Sequence, residues 1–97
     1  MIGDARQRID VWLFRTRLAK TRAAAAGRVS EGGVRLVRDG SVRRLEKPSA
    51  EVAVGDALLF RRSGRLVSVR VEALPVRRGP ASEAKGCYSE LDADALA

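Results

Sequence analysis

The spacing of apolar residues changes at Gly32-Gly33, and this change constrains the fold more than any other feature of the chain. Before the two glycines, apolar residues recur every three or four positions, which is typical of amphipathic helices. After them, apolar and polar residues alternate, which is typical of strands with one buried face. The sequence therefore predicts helices first and a sheet second, a layout of the α+β class.

Two short helices are predicted before the glycines. The first covers residues 8–19, with Ile9, Trp12, Leu13 and Thr16 on its apolar face and Trp12 and Leu13 as core anchors. Asp10 is expected to cap this helix, to favour its dipole, or to pair with a nearby arginine. The second helix covers residues 22–31, because Thr21 is a good N-cap, four alanines follow it, and the glycines end it.

A small, mostly antiparallel sheet is predicted after the glycines, because tight turns separate its strands. We expect it to consist of strands over 34–38 and 42–45 joined by an Asp39-Gly40 turn, a strand that contains Leu58 and Phe60, and a half-buried strand over 67–71.

The chain is predicted to divide into a flexible leader over residues 1–7, one domain over 8–74, and a C-terminal extension over 75–97. Pro75 ends the sheet region, and Ser82 is expected to cap a short helix over 83–91 that packs Tyr88 against the domain. Residues 89–97 carry three acidic residues and no basic one, so we expect a frayed tail.

Several function classes are disfavoured by composition. The chain has no histidine, so His-based catalysis and most zinc sites are excluded, and we expect neither a metal, a cofactor nor a small-molecule substrate. The single cysteine, Cys87, fits a reducing cytoplasm and is expected to be unreactive. No apolar run approaches the roughly 20 residues of a membrane span. The sequence therefore predicts a monomeric, non-catalytic binding protein of the cytoplasm.

Positive charge is concentrated in the first half of the sequence. Residues 1–50 hold 12 basic and 5 acidic residues, whereas residues 51–97 hold 7 of each, so the first half carries the whole net charge of +7. Sixteen of the 19 basic residues are arginine, whose planar guanidinium matches phosphate oxygens. This asymmetry favours binding to a nucleic acid or a ribosome.

The basic residues that carry this prediction surround the junction between the two helices. Lys20 and Arg22 flank the start of the second helix, where free backbone N–H groups favour an anion. The other arginines are Arg8 and Arg15 on one side of the first helix, Arg17 near the junction, and Arg35 just beyond the glycines. The alternative is that these arginines only solvate helix surfaces, but a cluster around a helix N-terminus favours a phosphate site.

Four motifs occur in the order found in a known RNA-binding domain. They are Arg8-Ile9-Asp10-Val11-Trp12-Leu13, Lys20-Thr21-Arg22-Ala23, Glu31-Gly32-Gly33-Val34 and Lys47-Pro48-Ser49. Over residues 8–72 the chain resembles the S-four RNA-binding domain, named after a ribosomal protein of the small subunit. This resemblance implies the alpha-L fold of that domain, and it adds Thr21 and Lys47 to the candidate RNA-binding residues.

The C-terminal extension makes the resemblance more specific. Its segment Arg77-Arg78-Gly79-Pro80-Ala81-Ser82-Glu83-Ala84, followed by Tyr88, is similar to that of the ribosome-associated heat-shock protein fifteen family. The resemblance implies binding to ribosomal RNA on free large subunits that hold peptidyl-tRNA, in rescue of stalled translation. A role in alanine tailing during ribosome quality control is an alternative within the same lineage. From other classes, the alternatives are an accessory domain of an RNA-modifying enzyme and a generic DNA-binding protein.

Overall fold

The structure, a computed structural model, describes residues 5–91. Its helices in this range are α1 (Ile9–Arg15), α2 (Arg22–Ser30) and α3 (Ala81–Lys85). Its strands are β1 (Gln7–Arg8), β2 (Val34–Arg38), β3 (Ser41–Arg44), β4 (Glu51–Val52), β5 (Ala57–Arg62), β6 (Arg65–Val71) and β7 (Tyr88–Glu90). None of the described helices is long and apolar enough to cross a membrane.

Five strands form one antiparallel sheet in the order β3-β2-β5-β6-β7. A second, two-stranded sheet pairs β1 with β4. The predicted α+β class and mostly antiparallel sheet are therefore confirmed. The Asp39-Gly40 turn joins β2 to β3 as predicted, with both residues at positive φ, 52° and 78°.

One hydrophobic core lies between α1, α2 and one face of the larger sheet. The predicted anchors Trp12 and Leu13 are fully buried, and Ala25 and Val29 of α2 are buried in the same cluster. The sheet contributes Val34, Leu36, Leu58, Phe60, Val69 and Val71. Because residues alternate along a strand, the opposite face of this sheet points away from the helices.

The N-terminal elements differ from the prediction in two places. The first helix ends at Arg15 instead of residue 19, because Arg17 adopts a left-handed conformation with φ of 64°. The chain then folds back so that the Ala19 backbone N–H donates to the carbonyl oxygen of Leu13 at 2.9 Å. The predicted leader also extends too far, since Gln7 pairs with Val52 and so belongs to β1.

The second helix agrees with its prediction. The Thr21 hydroxyl accepts a hydrogen bond from the Ala24 backbone N–H at 2.9 Å, which is the expected N-cap. Ser30 is the last residue of α2, Glu31 is its C-cap, and Gly32 follows at φ of 78°, where glycine carries no steric penalty.

The predicted helix over 83–91 is wrong, because the chain forms the short helix α3 and then the strand β7. Helix α3 begins after Pro80, not at a Ser82 cap, and ends at Gly86, which disfavours helix propagation. The backbone groups along β6 then pair with β7, Tyr88 opposite Val71. The Tyr88 ring lies edge-on to Trp12 at 6.4 Å between centroids, so its predicted packing on the domain is confirmed.

The predicted frayed tail is also wrong over its first residues. Ser89 and Glu90 belong to β7, and the Ser68 hydroxyl donates to the Leu91 carbonyl oxygen at 2.7 Å. These hydrogen bonds satisfy the edge of β6, which explains the order. The rest of the predicted tail, residues 92–97, lies outside the described residues.

Candidate nucleic-acid interface

A buried carboxylate, Asp10, organises the start of α1. Its side chain is 5% exposed and accepts two hydrogen bonds from the Arg8 guanidinium, at 3.0 and 2.9 Å. The Val11 backbone N–H donates a third, at 2.8 Å, and the Arg22 guanidinium from α2 lies 3.5 Å from the same carboxylate. Asp10 therefore contacts one arginine just before α1 and another at the start of α2. Its predicted pairing with a nearby arginine is confirmed.

The charge balance around Asp10 is positive. Burial raises the pKa of Asp10, but the hydrogen bonds from Arg8 and Val11 and the charges of Arg8 and Arg22 lower it more, so the carboxylate is held ionised. The Asp10 hydrogen bond and charge in turn raise the pKa of Arg8. Two guanidinium groups thus surround one carboxylate. Because Arg8 and Arg22 remain 48% and 55% exposed, both can also contact an anion from solvent.

The loop that contains Lys47 lies against the same helix end. The Ile9 backbone N–H donates to the Ala50 carbonyl oxygen at 2.7 Å, and the Asp10 N–H donates to that of Pro48 at 3.3 Å. Both donors belong to the first turn of α1, whose N–H groups have no partner within the helix. The loop satisfies them and brings exposed Lys47 beside α1.

The N-terminus of α2 completes the arrangement. Thr21 caps the helix, and exposed Lys20 precedes it. No acidic residue of α2 lies in its first turn, so no carboxylate of this helix repels an anion that binds there. We call the group formed around Asp10 by Arg8, Lys20, Thr21, Arg22 and Lys47 the helix corner. Five of the eight residues predicted from the sequence belong to it.

The other three predicted residues lie elsewhere. Arg15 donates to the Pro75 carbonyl oxygen at 2.9 Å, and the Arg17 Nε donates to that of Gly79 at 2.7 Å. Both side chains hold residues 73–80, which we call the strap, against α1. Arg35 lies at the opposite end of α2, on the sheet face turned away from the helices. An RNA-binding role for all eight residues stays a prediction.

The strap has its own basic anchor, Arg78, which local sequence patterns do not reveal. The Arg78 guanidinium donates to the carbonyl oxygens of Phe14 and Ala19, at 2.6 and 3.1 Å, and lies 4.5 Å from the centroid of the Phe14 ring. Trp12 Nε1 donates to the Ala73 carbonyl oxygen at 2.9 Å. The carbonyl groups left without helical partners at the end of α1 explain why arginine is placed there.

A second arginine–aspartate pair stabilises the sheet. Arg38 donates to both carboxylate oxygens of Asp56, at 2.9 and 2.7 Å, and the Ala53 backbone N–H donates at 2.8 Å. Burial raises the pKa of Asp56, but these hydrogen bonds and the Arg38 charge lower it more. Only Arg38 is hydrogen-bonded to this carboxylate, and the charge of Arg6 also lowers the pKa of Asp56.

Residues 5–91 contain no group of three side chains suited to hold a metal ion. Burial, with a smaller contribution from Glu83, raises the pKa of Cys87. The thiol is therefore protonated near neutral pH, which agrees with the expectation that it is unreactive.

Comparison with known proteins identifies the family. The chain is 36% identical over 83 residues to proteins named heat shock protein 15 from three strains of Escherichia coli, K12, O6:H1 and O157:H7. The match covers 86% of this chain. A solved structure of heat shock protein 15 from Vibrio cholerae, described as trimeric, superposes with a TM-score of 0.79 at 29% identity, over 90% of this chain and 83% of that one. The chain belongs to the heat shock protein 15 family.

The match does not cover the whole length of its relatives. It spans 59% of each E. coli heat shock protein 15. No protein-family model matches the chain. The superposition on the Vibrio heat shock protein 15 covers most of this chain, so the shared fold extends well beyond the helix junction.

Proposed function

We propose that this chain is a non-catalytic RNA-binding protein of the cytoplasm that binds structured ribosomal RNA on free large subunits holding peptidyl-tRNA, in rescue of stalled translation. The observation that carries the proposal is the helix corner, where two exposed arginines, Arg8 just before α1 and Arg22 at the start of α2, converge on the buried carboxylate of Asp10. Membership of the heat shock protein 15 family supports the ribosomal setting that the sequence resemblance implies.

The geometry of the corner suits a folded phosphate backbone. Arg8 and Arg22 are held by Asp10 before any ligand arrives, so little side-chain entropy is lost on binding. The α2 N-terminus adds backbone N–H groups and a positive dipole end. Each of the four aromatic side chains in the described residues packs against another side chain of the chain. The helix corner therefore offers phosphate contacts and shape recognition, and no base stacking.

Sedimentation tests the setting of the proposal. A tagged form of the chain in a cell-lysate gradient is expected to travel with free large subunits that carry peptidyl-tRNA, and less with small subunits or translating ribosomes. Exclusive association with small subunits would overturn the proposal. Association with obstructed large subunits that depends on alanine tailing would favour the alternative role in quality control.

Substitutions test the site. Lys20→Gln with Arg22→Gln is expected to weaken binding to a ribosomal RNA fragment and to flatten the log–log salt dependence by about 0.7–0.9 for each phosphate that the variant no longer binds. The matched control is Arg62→Gln with Arg65→Gln, two exposed arginines of the β5–β6 hairpin whose removal changes the net charge equally. Equal reductions in affinity for both variants would mean that general charge, and not the corner, binds RNA.

A competition assay separates the remaining alternatives. Folded ribosomal RNA is expected to displace the protein from a labelled probe better than duplex DNA of equal length at the same salt concentration, because A-form geometry and 2′-hydroxyls differ from B-DNA. Equal competition would favour a generic DNA-binding protein. An accessory role for an RNA-modifying enzyme predicts that binding depends on a partner catalytic chain, whereas we expect the chain to bind alone.

The oligomeric state also stays a prediction. The sequence predicts a monomer of 10.5 kDa, whereas the Vibrio heat shock protein 15 structure is described as trimeric. Light scattering of the purified chain across a concentration series measures the mass directly. The RNA-binding assays are then best run at concentrations where a single species is present.

A further inference from the structure

An open groove of about 600 Å³ lies at the C-terminal end of α2, where the chain turns into β2. Leu59, Phe60 and Leu66 form its apolar part. Its rim is formed by Arg28, Glu31, Gly32, Gly33, Arg35 and Arg61. We call this the sheet groove. The nine residues of α2 rise about 13 Å, so the groove is separated from the helix corner by the length of that helix.

Strand register brings basic and apolar side chains together in the groove. Arg35 of β2 pairs with Leu59 of β5, and Arg61 of β5 pairs with Leu66 of β6. Paired residues share a face, so all four side chains lie on the outer face of the sheet. Leu66 is 53% exposed there, so its side chain is accessible to a ligand.

The two glycines allow further arginines to approach the groove. A Cβ on Gly32 would lie 2.9 Å from the Arg44 Cδ, and a Cβ on Gly33 would lie 3.0 Å from the Arg28 carbonyl oxygen. The Arg28 guanidinium itself lies 5.6 Å from the centroid of the Phe60 ring, which fixes its position at the rim. Arg28, Arg35 and Arg61 therefore line the groove, and the Arg44 side chain lies beside Gly32 at its rim.

The groove carries an excess of positive charge among the described residues. None of Arg28, Arg35, Arg44 and Arg61 forms an ion pair in residues 5–91, although Glu31 lies on the rim. This differs from Arg8 and Arg38, each of which is bound by a buried carboxylate. A ligand that complements the groove must carry several negative charges and also a flat apolar part. An unpaired nucleotide strand has both features.

We infer that the sheet groove binds two or three unpaired nucleotides of RNA, with phosphates on Arg35 and Arg61 and bases on Leu59 and Leu66. This inference rests on the proposal that the chain binds RNA, and it adds a second contact of different kind. The corner recognises folded backbone, and the groove holds an adjacent single strand. A junction between a helix and an unpaired segment is therefore the class of RNA that contacts both surfaces.

The experiment uses fluorescence anisotropy with an unstructured ten-nucleotide RNA, oligouridylate, as the probe. Arg35→Gln with Arg61→Gln is expected to weaken binding at least tenfold and to lower the salt slope by about 1.4, the value for two contacts with single-stranded nucleic acid. The control is again Arg62→Gln with Arg65→Gln, which removes the same number of positive charges, both from the β5–β6 hairpin. Their side chains lie on the other face of the sheet, so only a small reduction in affinity is expected.

A second pair of variants tests the apolar part of the groove. Leu66→Ser is expected to weaken oligouridylate binding several-fold with no change in the salt slope, because it removes apolar contact and no charge. Val54→Ser, at a residue 57% exposed outside the groove, is expected to leave binding unchanged. Circular dichroism melting curves check that all variants remain folded. Equal effects of Leu66→Ser and Val54→Ser would overturn base contact at the groove.

Four results decide the inference as a whole. Equal reductions in affinity for the groove variant and its Arg62/Arg65 control overturn it, and so does tighter binding of the groove to a polyglutamate peptide than to oligouridylate. Loss of folded ribosomal RNA binding in the Lys20/Arg22 variant, with oligouridylate binding retained, supports two separate surfaces. If folded RNA fails to bind the unaltered chain while oligouridylate binds through Arg35 and Arg61, the ribosomal proposal fails and the groove stands.

Discussion

The two ends of α2 use arginine in different ways. At the N-terminal end, the helix corner holds Arg8 and Arg22 on the buried carboxylate of Asp10. At the C-terminal end, the sheet groove gathers Arg35 and Arg61 on an open apolar surface, with no ion pair among the described residues. The arginines of the corner are partly neutralised by Asp10, whereas those of the groove form no ion pair in residues 5–91.

This difference shows that the net charge of a sequence segment does not predict which arginines meet on one surface. The second half of the chain is neutral by count, yet it supplies Arg61 to the groove through strand pairing with the basic half. Conversely, Arg15, Arg17 and Arg78 hold the strap and contribute to packing. The partner of each guanidinium separates the arginines that we propose to bind RNA from those that hold the strap.

Acid is expected to have the largest effect, because it protonates the carboxylates of the corner and of the Arg38–Asp56 pair, whereas the arginines of the groove stay charged. The pKa values of Asp10 and Asp56 are lowered in the folded chain. The stability they contribute is therefore present above the ordinary aspartate pKa of about 3.9 and is lost as the pH falls through the lower folded values. Urea unfolding between pH 6 and pH 2.5 measures it.

Asp10→Asn and Asp56→Asn provide the check on this prediction. Each variant is expected to be less stable at pH 6 and to show a flatter fall in the free energy of unfolding with acid. A fall as steep as that of the unaltered chain in both variants would show that other carboxylates cause it.

Asp10→Asn is also expected to distinguish two roles of Asp10 at the helix corner, the positioning of the arginines and the contribution of a negative charge. We expect it to cost about 1.5–3 kcal/mol of stability, since Asp10 accepts charge-assisted hydrogen bonds in a buried site. Its affinity for folded RNA should fall although the net charge becomes more positive, because Arg8 and Arg22 lose their fixed geometry. Urea unfolding and anisotropy measure the two effects.

The matched control for that variant is Asp39→Asn. Asp39 is exposed in the β2–β3 turn at a positive φ that asparagine tolerates, so stability should change little. Its RNA affinity should rise slightly from charge alone. If Asp10→Asn also binds RNA more tightly, the carboxylate does not position the corner.

Arg78→Ala is expected to have a smaller effect, a decrease of about 1–2 kcal/mol in stability. It removes the hydrogen bonds to the carbonyl oxygens of Phe14 and Ala19 and the contact with the Phe14 ring. Its neighbour is the control, since Arg77 forms only an exposed ion pair with Glu83 at 3.4 Å, and Arg77→Ala should cost less than about 0.5 kcal/mol. Equal melting temperatures for the two variants would show that the strap does not stabilise α1.

The smallest expected effect is the coupling between the corner and the groove. The probe is an RNA that contains both a helix and an unpaired strand. On this RNA, the reductions in binding free energy from the Lys20/Arg22 and the Arg35/Arg61 substitutions should add to within about 0.5 kcal/mol. The reason is that the two surfaces are about 13 Å apart, the length of α2, and share no residue. Isothermal titration of the single, double and combined variants measures this. A larger coupling would mean that both sets contact one and the same segment of RNA.

Local signals were enough to predict much of this protein. The apolar spacing around Trp12, the Thr21 cap and the glycines at the end of α2 all depend on neighbours within a few residues, and the structure confirms them. The Asp39-Gly40 turn is likewise local. The motifs around Arg8, Lys20 and Lys47 predicted a common site, and five of the eight proposed residues do lie together.

The tertiary structure decided what long-range partners determine. Residues 88–90 form a strand and not a helix because β6 presents unpaired backbone groups to them, and Arg15 and Arg17 bind a strap about 60 residues away in the sequence. The roles of Asp10 and Asp56 depend on which guanidinium reaches each carboxylate. Hydrogen bonds and ion pairs act over a few ångströms of space, and the distance along the chain carries no record of them.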